Sequence, residues 1–159
     1  MHEVDLHLHT TCSDGNLTPT QLVRLRAERG LRVIAISDHD STQGIPEAQD
    51  AARAFPEFTV IPGIELSTDV PNAEIHMLGY FVDDCDLGFQ RTLHTFRKRR
   101  QQRGRQMVRR LNEMGVNISW ERVKQISGGE SVGRPHIAQA MVEAGYVEEP
   151  RAAFDRYLS

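Results

Sequence analysis

DLHLHTTCSDG, residues 5–15, opens as a strand, closes in a tight turn, and sets two imidazoles and a carboxylate within eight positions. His7 and His9 lie two apart at the end of an apolar run. Alternate side chains of a strand share a face, so both rings point the same way. Ser13-Asp14-Gly15 then adds a carboxylate from the turn. Taken singly, an HxH pair is an ordinary surface feature and Asp14 an ordinary turn residue before glycine. The downstream sequence changes that reading. Asp38-His39-Asp40 closes a second strand, Gly63-Ile64-Glu65 closes a third, and His76 lies on a fourth. Four successive strand ends each present a ligand type. Imidazole nitrogen with carboxylate oxygen suits zinc, manganese or iron, and the lack of cysteine ligands argues for a catalytic rather than a closed structural site.

The strands behind this reading are Val4 to Leu8, Val33 to Ser37, Phe58 to Ile64 and Glu74 to Val82, all short and rich in apolar and β-branched residues. Helical patterns fill the first two gaps. The first helix begins at Thr18-Pro19, a capping threonine before a proline at the first helical position, and ends at Gly30. The second runs from about Ile45 to Ala54 and stops before Pro56. This βαβα rhythm predicts parallel pairing, with chemistry gathered at one end of the strands. The rhythm stops after Val82. Helices are expected over 88–114, 120–126, 134–144 and 150–158, with Gly115, Gly128-Gly129 and Gly145 as breakers.

A chain of 159 residues with 39% hydrophobic and 26% charged residues can bury a real core, and no apolar run is long enough to span a membrane. No signal-peptide pattern opens the sequence, so a soluble cytoplasmic protein is expected. Cys12 and Cys85 form neither a CxxC pair nor a disulfide framework. The net charge of −3 conceals an asymmetry. Residues 91–110 hold nine Lys or Arg and no acidic residue, while the other ten basic residues face all 22 acidic ones, a balance of −12. An acidic body suits cations, and the attached basic segment suits an anion such as phosphate.

The runs DLHLHTTCSDG, ISDHD, PGIELS and HMLGY, in that order, resemble the first four motifs of the polymerase-and-histidinol-phosphatase (PHP) superfamily of metal-dependent phosphoesterases. FRKRRQQRGRQM, VGRPHIAQAMVEAGYV and FDRYL are similar to the cap of one branch, whose members dephosphorylate nucleoside 3',5'-bisphosphates or trim RNA from its 5' end. The resemblance implies an α/β fold, the first half of a distorted (β/α)7 barrel over residues 1–86 with an α-helical cap insertion over 87–159. It implies two or three divalent ions, manganese, zinc or iron with magnesium as a further option. His7, His9 and Glu65 would help hold one, Glu65 would bridge to a second bound also by His76, and Asp14 with His39 would hold a third. Asp38 and Asp40 would support His39 or the strand end without touching metal. Relatives continue into further strands carrying an Ala-His-Pro ligand and an Asp-x-His pair, both absent here. A half barrel of this kind leaves apolar strand edges uncovered and each metal short of a ligand.

In the basic helix, Leu93, Phe96, Met107, Leu111 and Met114 form one stripe at helical spacing, and Arg100 and Arg103 occupy the two positions inside it. An inward guanidinium calls for an anion, either a carboxylate or a substrate phosphate. Arg134-Pro135-His136 opens a helix where backbone and side chains can converge on an anion. Arg97, Arg99, Arg105, Arg109 and Arg110 read as solvated, and Phe89, Trp120, Tyr146 and Tyr157 as cap core. The predicted partner is a phosphorylated nucleotide or RNA end. The rival readings are a non-catalytic metal- or nucleic-acid-binding PHP module, or an inactive fragment.

Overall fold

The computed structural model describes residues 3–70, 73–128 and 131–158. It divides into two compact units, one ending at Phe96 and the other starting at Arg97.

The first unit is α/β. Strand β1 (Val4–Leu8), helix α1 (Pro19–Glu28), strand β2 (Val33–Ile36), helix α2 (Ile45–Ala52), strand β3 (Thr59–Val70) and strand β4 (Ala73–Tyr80) succeed one another in order. The sheet runs β1-β2-β3-β4. β1–β2 and β2–β3 are parallel, as the helical crossovers require, while β3–β4 is antiparallel. With no helix between them, β3 and β4 meet as a hairpin. β3 is longer than the pattern predicts because Glu65, Ser67 and Asp69 interrupt its apolar run while it stays paired to β4. Glu65 therefore sits inside β3, and His76 inside β4, rather than at strand ends.

Local chemistry fixes the helix starts. Thr18 accepts from the Gln21 amide and Gln21 accepts from the Thr18 amide, a reciprocal capping box, with Pro19 opening the helix. Leu22, Val23, Ile34, Ile36, Ile45 and Ala48 pack between the helices and the sheet, each less than 5% exposed. On the outer strands, Val4 and Leu6 of β1 and Ile75, Met77 and Leu78 of β4 are exposed.

Helix α3 (Leu87–Glu113) contains the division between the units. Beyond it come α4 (Trp120–Ser127), α5 (Arg134–Glu143) and α6 (Pro150–Ala153), the last passing into a π-helical turn, Phe154–Leu158. The single helix expected over 150–158 thus changes its winding halfway. Gly128 ends α4 in the left-handed conformation, and Gly129 falls outside the described residues. The second unit's core is apolar: Val108, Leu111, Ile118, Val123, Ile137 and Met141 are buried, with Trp120, Tyr146 and Tyr157 packed on them. Phe89, grouped with these aromatics in the sequence, belongs to the first unit. Met114 lies past the end of α3 and is exposed, so the apolar stripe stops at Leu111. Arg97 is buried rather than solvated, only 7% exposed. No helix among the described residues is long and apolar enough to cross a membrane.

Candidate metal centre

Glu65 is the hub of the first unit's polar residues, and it is 4% exposed. Its Oε2 lies 2.9 Å from His7 Nε2, 3.0 Å from His9 Nε2 and 3.6 Å from His39 Nδ1. Its Oε1 lies 2.7 Å from His76 Nδ1. Asp14 approaches from the other flank, Oδ1 at 3.4 Å from His9 Nδ1 and Oδ2 at 3.5 Å from His39 Nε2. The imidazoles themselves form a row, with ring centres 5.1 Å apart for His7 and His9, 4.7 Å for His9 and His39, and 4.8 Å for His39 and His76. All six residues singled out in the sequence are brought together.

Secondary structure explains the convergence. His7 and His9 lie on the same face of β1 and its exit. His39 comes just past β2 and forms an isolated parallel bridge with Glu65, which carries the β2–β3 pairing to the centre. Because β4 runs antiparallel to β3, with His76 opposite Ser67, its imidazole reaches Glu65 across the hairpin.

Two aspartates flank His39, and both are wholly buried. Asp40 has a positive φ of 52°, a conformation Asp tolerates better than most residues. Its amide donates to Glu65 O at 3.0 Å and its Oδ1 accepts from the Ser67 amide at 2.9 Å, so it fastens His39 to β3. Asp38 faces the opposite way. Its Oδ1 accepts from the Thr10 amide at 2.7 Å and the Ser13 hydroxyl at 2.6 Å, and its Oδ2 from the Thr10 hydroxyl at 2.7 Å. Burial pushes the Asp38 carboxyl above its ordinary range, opposed by the hydrogen bonds from Ser13 and Thr10. Burial likewise raises the Cys12 thiol. Thr10 and Ser13 carry no signal in a reading for ligands, since hydroxyls beside a turn are common. Their complete or near-complete burial, at 0% and 2% exposed, is what sets them apart.

The donor set suits divalent cations. Three overlapping triads, His7–His9–Glu65, His9–Asp14–His39 and His39–Glu65–His76, each offer ligand atoms within 4.8 Å of one another. Imidazole rings aimed at one carboxylate are a typical cation site. Their nitrogen and oxygen donors match the preferences of zinc, manganese and iron.

Residues 5–157 match the PHP domain. The chain belongs to the PHP family. It is 38% identical over 156 residues to the 5'-3' exoribonuclease Rnm of Salmonella typhimurium, an alignment covering 98% of this chain and 53% of the relative. Against the 3',5'-nucleoside bisphosphate phosphatase of Chromobacterium violaceum the identity is 32%, covering 100% and 56%. An amidohydrolase from Chromobacterium violaceum, solved with bound sulfate and no metal, superimposes with a TM-score of 0.90 at 31% identity, over 99% of this chain and 55% of that one. This PHP chain therefore spans about half the length of the curated relatives it matches.

The four cap residues singled out in the sequence all fall in the second unit. Arg100 and His136 are buried, and Arg103 and Arg134 half-buried. His136 Nδ1 accepts from the Gly133 amide at 2.9 Å at the start of α5. That bond places the proton of the neutral ring on Nε2.

Proposed function

We propose that the basin around Glu65 binds two or three divalent cations and that the full-length protein hydrolyses phosphate esters of nucleotides or RNA 5' ends. The observation that carries this is the set of three ligand triads sharing His9, His39 and Glu65. The exoribonuclease and bisphosphate phosphatase among the relatives support the substrate class.

In this reading His7, His9 and Glu65 hold one cation, His39, Glu65 and His76 a second, and His9, Asp14 and His39 a third. Bound there, manganese, zinc, iron or magnesium would supply Lewis-acid charge for the phosphoryl group and lower the pKa of an attacking water. The protein's part is to hold that charge in place. Glu65 keeps an anionic oxygen toward each side of the basin, and Asp40 ties the His39 backbone to β3. We assign substrate-phosphate binding to Arg100, Arg103, Arg134 and His136, whose guanidinium forks and Nε2–H are donors of the kind an anion takes. Further ligands of the Ala-His-Pro and Asp-x-His type are those that the family resemblance implies. With two free cysteines, the cytoplasm is the compartment this chemistry fits.

The test is turnover of a nucleoside 3',5'-bisphosphate and of a 5'-phosphorylated RNA by the full-length protein, before and after chelation and manganese reloading. Activity that chelation abolishes and manganese restores is expected. Salt-dependent RNA binding without metal-dependent turnover would instead establish a binding module. For the arginines, Arg100→Ala and Arg103→Ala should lower kcat/KM on the bisphosphate by roughly ten- to a hundredfold and spare a small activated phosphoester.

A further inference from the structure

Each residue of the buried polar cluster beneath the basin is the chain neighbour of one ligand. Thr10 comes directly after His9, Ser13 directly before Asp14, and Asp38 directly before His39. His9, Asp14 and His39 are together one of the three triads. The Asp38 carboxylate takes three hydrogen bonds of 2.6–2.7 Å from the other two members. Charge-assisted bonds this short, in a place water does not reach, are stiff.

The loop carrying Asp14 is closed by one of the same residues, Thr10. Thr10 O accepts from the amides of Ser13 and Gly15 at 3.0 and 2.9 Å, and the Thr10 hydroxyl accepts from the Cys12 amide at 3.1 Å. Gly15 lies so close beneath His9 that a Cβ there would come within 2.3 Å of His9 O. On the far side, a Cβ at Gly44 would meet Asp38 Oδ2 and the Thr10 hydroxyl oxygen at 3.0 Å each. The turn is gripped from both sides. Asp40, by contrast, fastens His39 to β3 through the Glu65 carbonyl and the Ser67 amide.

We propose that Thr10, Ser13 and Asp38 form a latch that sets the His9–Asp14–His39 triad before any cation arrives, making them positioning residues above all for that cation, all three of whose ligands they adjoin, and less for those on the Glu65 side, which share only His9 or His39 with it. The inference rests on the reading of the basin as a metal centre. Asp38 thus acts through the β1 loop, and the Thr10 and Ser13 hydroxyls matter because they join β1 to β2 under the ligands. The Glu65–His76 side is held separately, by the β3–β4 ladder and by Asp40.

The experiment is a Mn²⁺ titration of the metal-stripped full-length protein by calorimetry, with bound ions counted by elemental analysis. Thr10→Val removes the hydroxyl with little change of shape, Ser13→Ala removes the 2.6 Å bond to Asp38 with the 3.4 Å contacts to His9 Nδ1 and Asp14 Oδ1, and Thr10→Ser restores the hydroxyl. Thr10→Val and Ser13→Ala should each weaken one cation by about ten- to a hundredfold and the others, which share only His9 or His39 with it, clearly less, the usual effect of removing a group that orients a ligand. Thr10→Ser should return most of the loss. Should Thr10→Val be recovered unfolded, Ser13→Ala decides alone. Unchanged binding, equal weakening of every cation, or no rescue by serine overturns the latch while leaving the metal centre standing. A wild-type protein that binds no Mn²⁺ overturns both.

Discussion

The two units bury polar groups on different terms. In the unit ending at Phe96, hydroxyls, carboxylates and imidazoles are packed side by side beneath the strand exits, among them Thr10, Ser13, Asp38, His39, Asp40 and Glu65. In the unit starting at Arg97 the core is a continuous apolar cluster built on Val108, Val123, Ile137 and Met141, although Arg97, Arg100, Ser127, Ser131 and His136 are buried there too. Buried polar atoms need partners of good geometry, and that need restricts what the surrounding chain can be. An apolar core tolerates change so long as volume is kept. The first unit has given over part of its interior to holding charges in place, and the second uses most of its interior for packing. Substitutions should therefore separate: those at the first unit's buried polar residues should strike activity harder than stability, and those in the second unit's apolar cluster the reverse.

The largest effect is expected at Glu65. Glu65→Gln keeps the shape of the side chain and removes the negative charge that four imidazoles surround. In the full-length protein kcat/KM should fall by about 10³-fold, the several kcal/mol of charge stabilisation at stake. The melting temperature of the metal-free protein should move far less. Near-normal turnover at saturating Mn²⁺ would break the comparison at its strongest point.

Ile137→Ala is the mirror experiment. Ile137 is fully buried in the second unit's core, so truncation should cost about 2–5 kcal/mol in chemical denaturation and leave Mn²⁺ affinity unchanged. A loss of cation binding matching the loss of stability would show that the two interiors are not separable in the way their composition suggests.

Legibility in the sequence divides along the same line. The six candidate ligands are legible because imidazoles and carboxylates are rare at the ends of apolar runs, and four such runs in succession leave few other readings. The helix starts are legible from local chemistry, Thr18-Pro19 above all. The course of β3 past Ile64 is not, because its functional and polar residues make it resemble a loop, and only the antiparallel partner shows that the strand continues. Thr10 and Ser13 are invisible for a related reason: a buried hydroxyl looks like an exposed one until the acceptor from another strand is in place. Arg97 reads as solvated because charged side chains on a helix usually are, yet it lies four residues after Leu93, on the same helix face, and is buried as Leu93 is.

Gly104→Ala gives a smaller effect with two opposing contributions. Alanine favours a helix interior over glycine by about 1 kcal/mol. Here, however, a Cβ would lie 2.9 Å from Trp120 Cζ3 and 3.1 Å from Cη2, and Trp120 is confined further by the Arg105 guanidinium 5.5 Å from its ring centre. Overpacking of a rigid ring costs about 1–3 kcal/mol, so the net change should be a destabilisation of about 1 kcal/mol. Thermal melts of the full-length variant test this. A stabilised Gly104→Ala would mean the second unit's core yields more readily than its close packing implies.

The smallest effect should come from the surface of the second unit, where Arg122 bridges α4 to α5. Its Nε and Nη2 donate to Glu143 Oε2 and Oε1 at 2.7 and 3.1 Å, a fork geometry. Both side chains are open to water, so solvent and salt screen the pair. The hydrogen bond from Arg122 holds the Glu143 carboxyl below its ordinary value of 4.5, which sets the sign of the pH dependence. A carboxyl whose folded-state pKa is lowered adds stability above its unfolded value and loses it as pH falls through the folded one. The melting temperature of Glu143→Gln should thus sit slightly below wild type at neutral pH. The gap should close as the medium is acidified below the ordinary carboxylate range, and it should narrow at about 1 M NaCl, where the Debye length is about 3 Å. A gap at neutral pH as wide as that of Ile137→Ala, or one that persists in acid, would show that this contact works as part of the unit's core and not as an exposed pair.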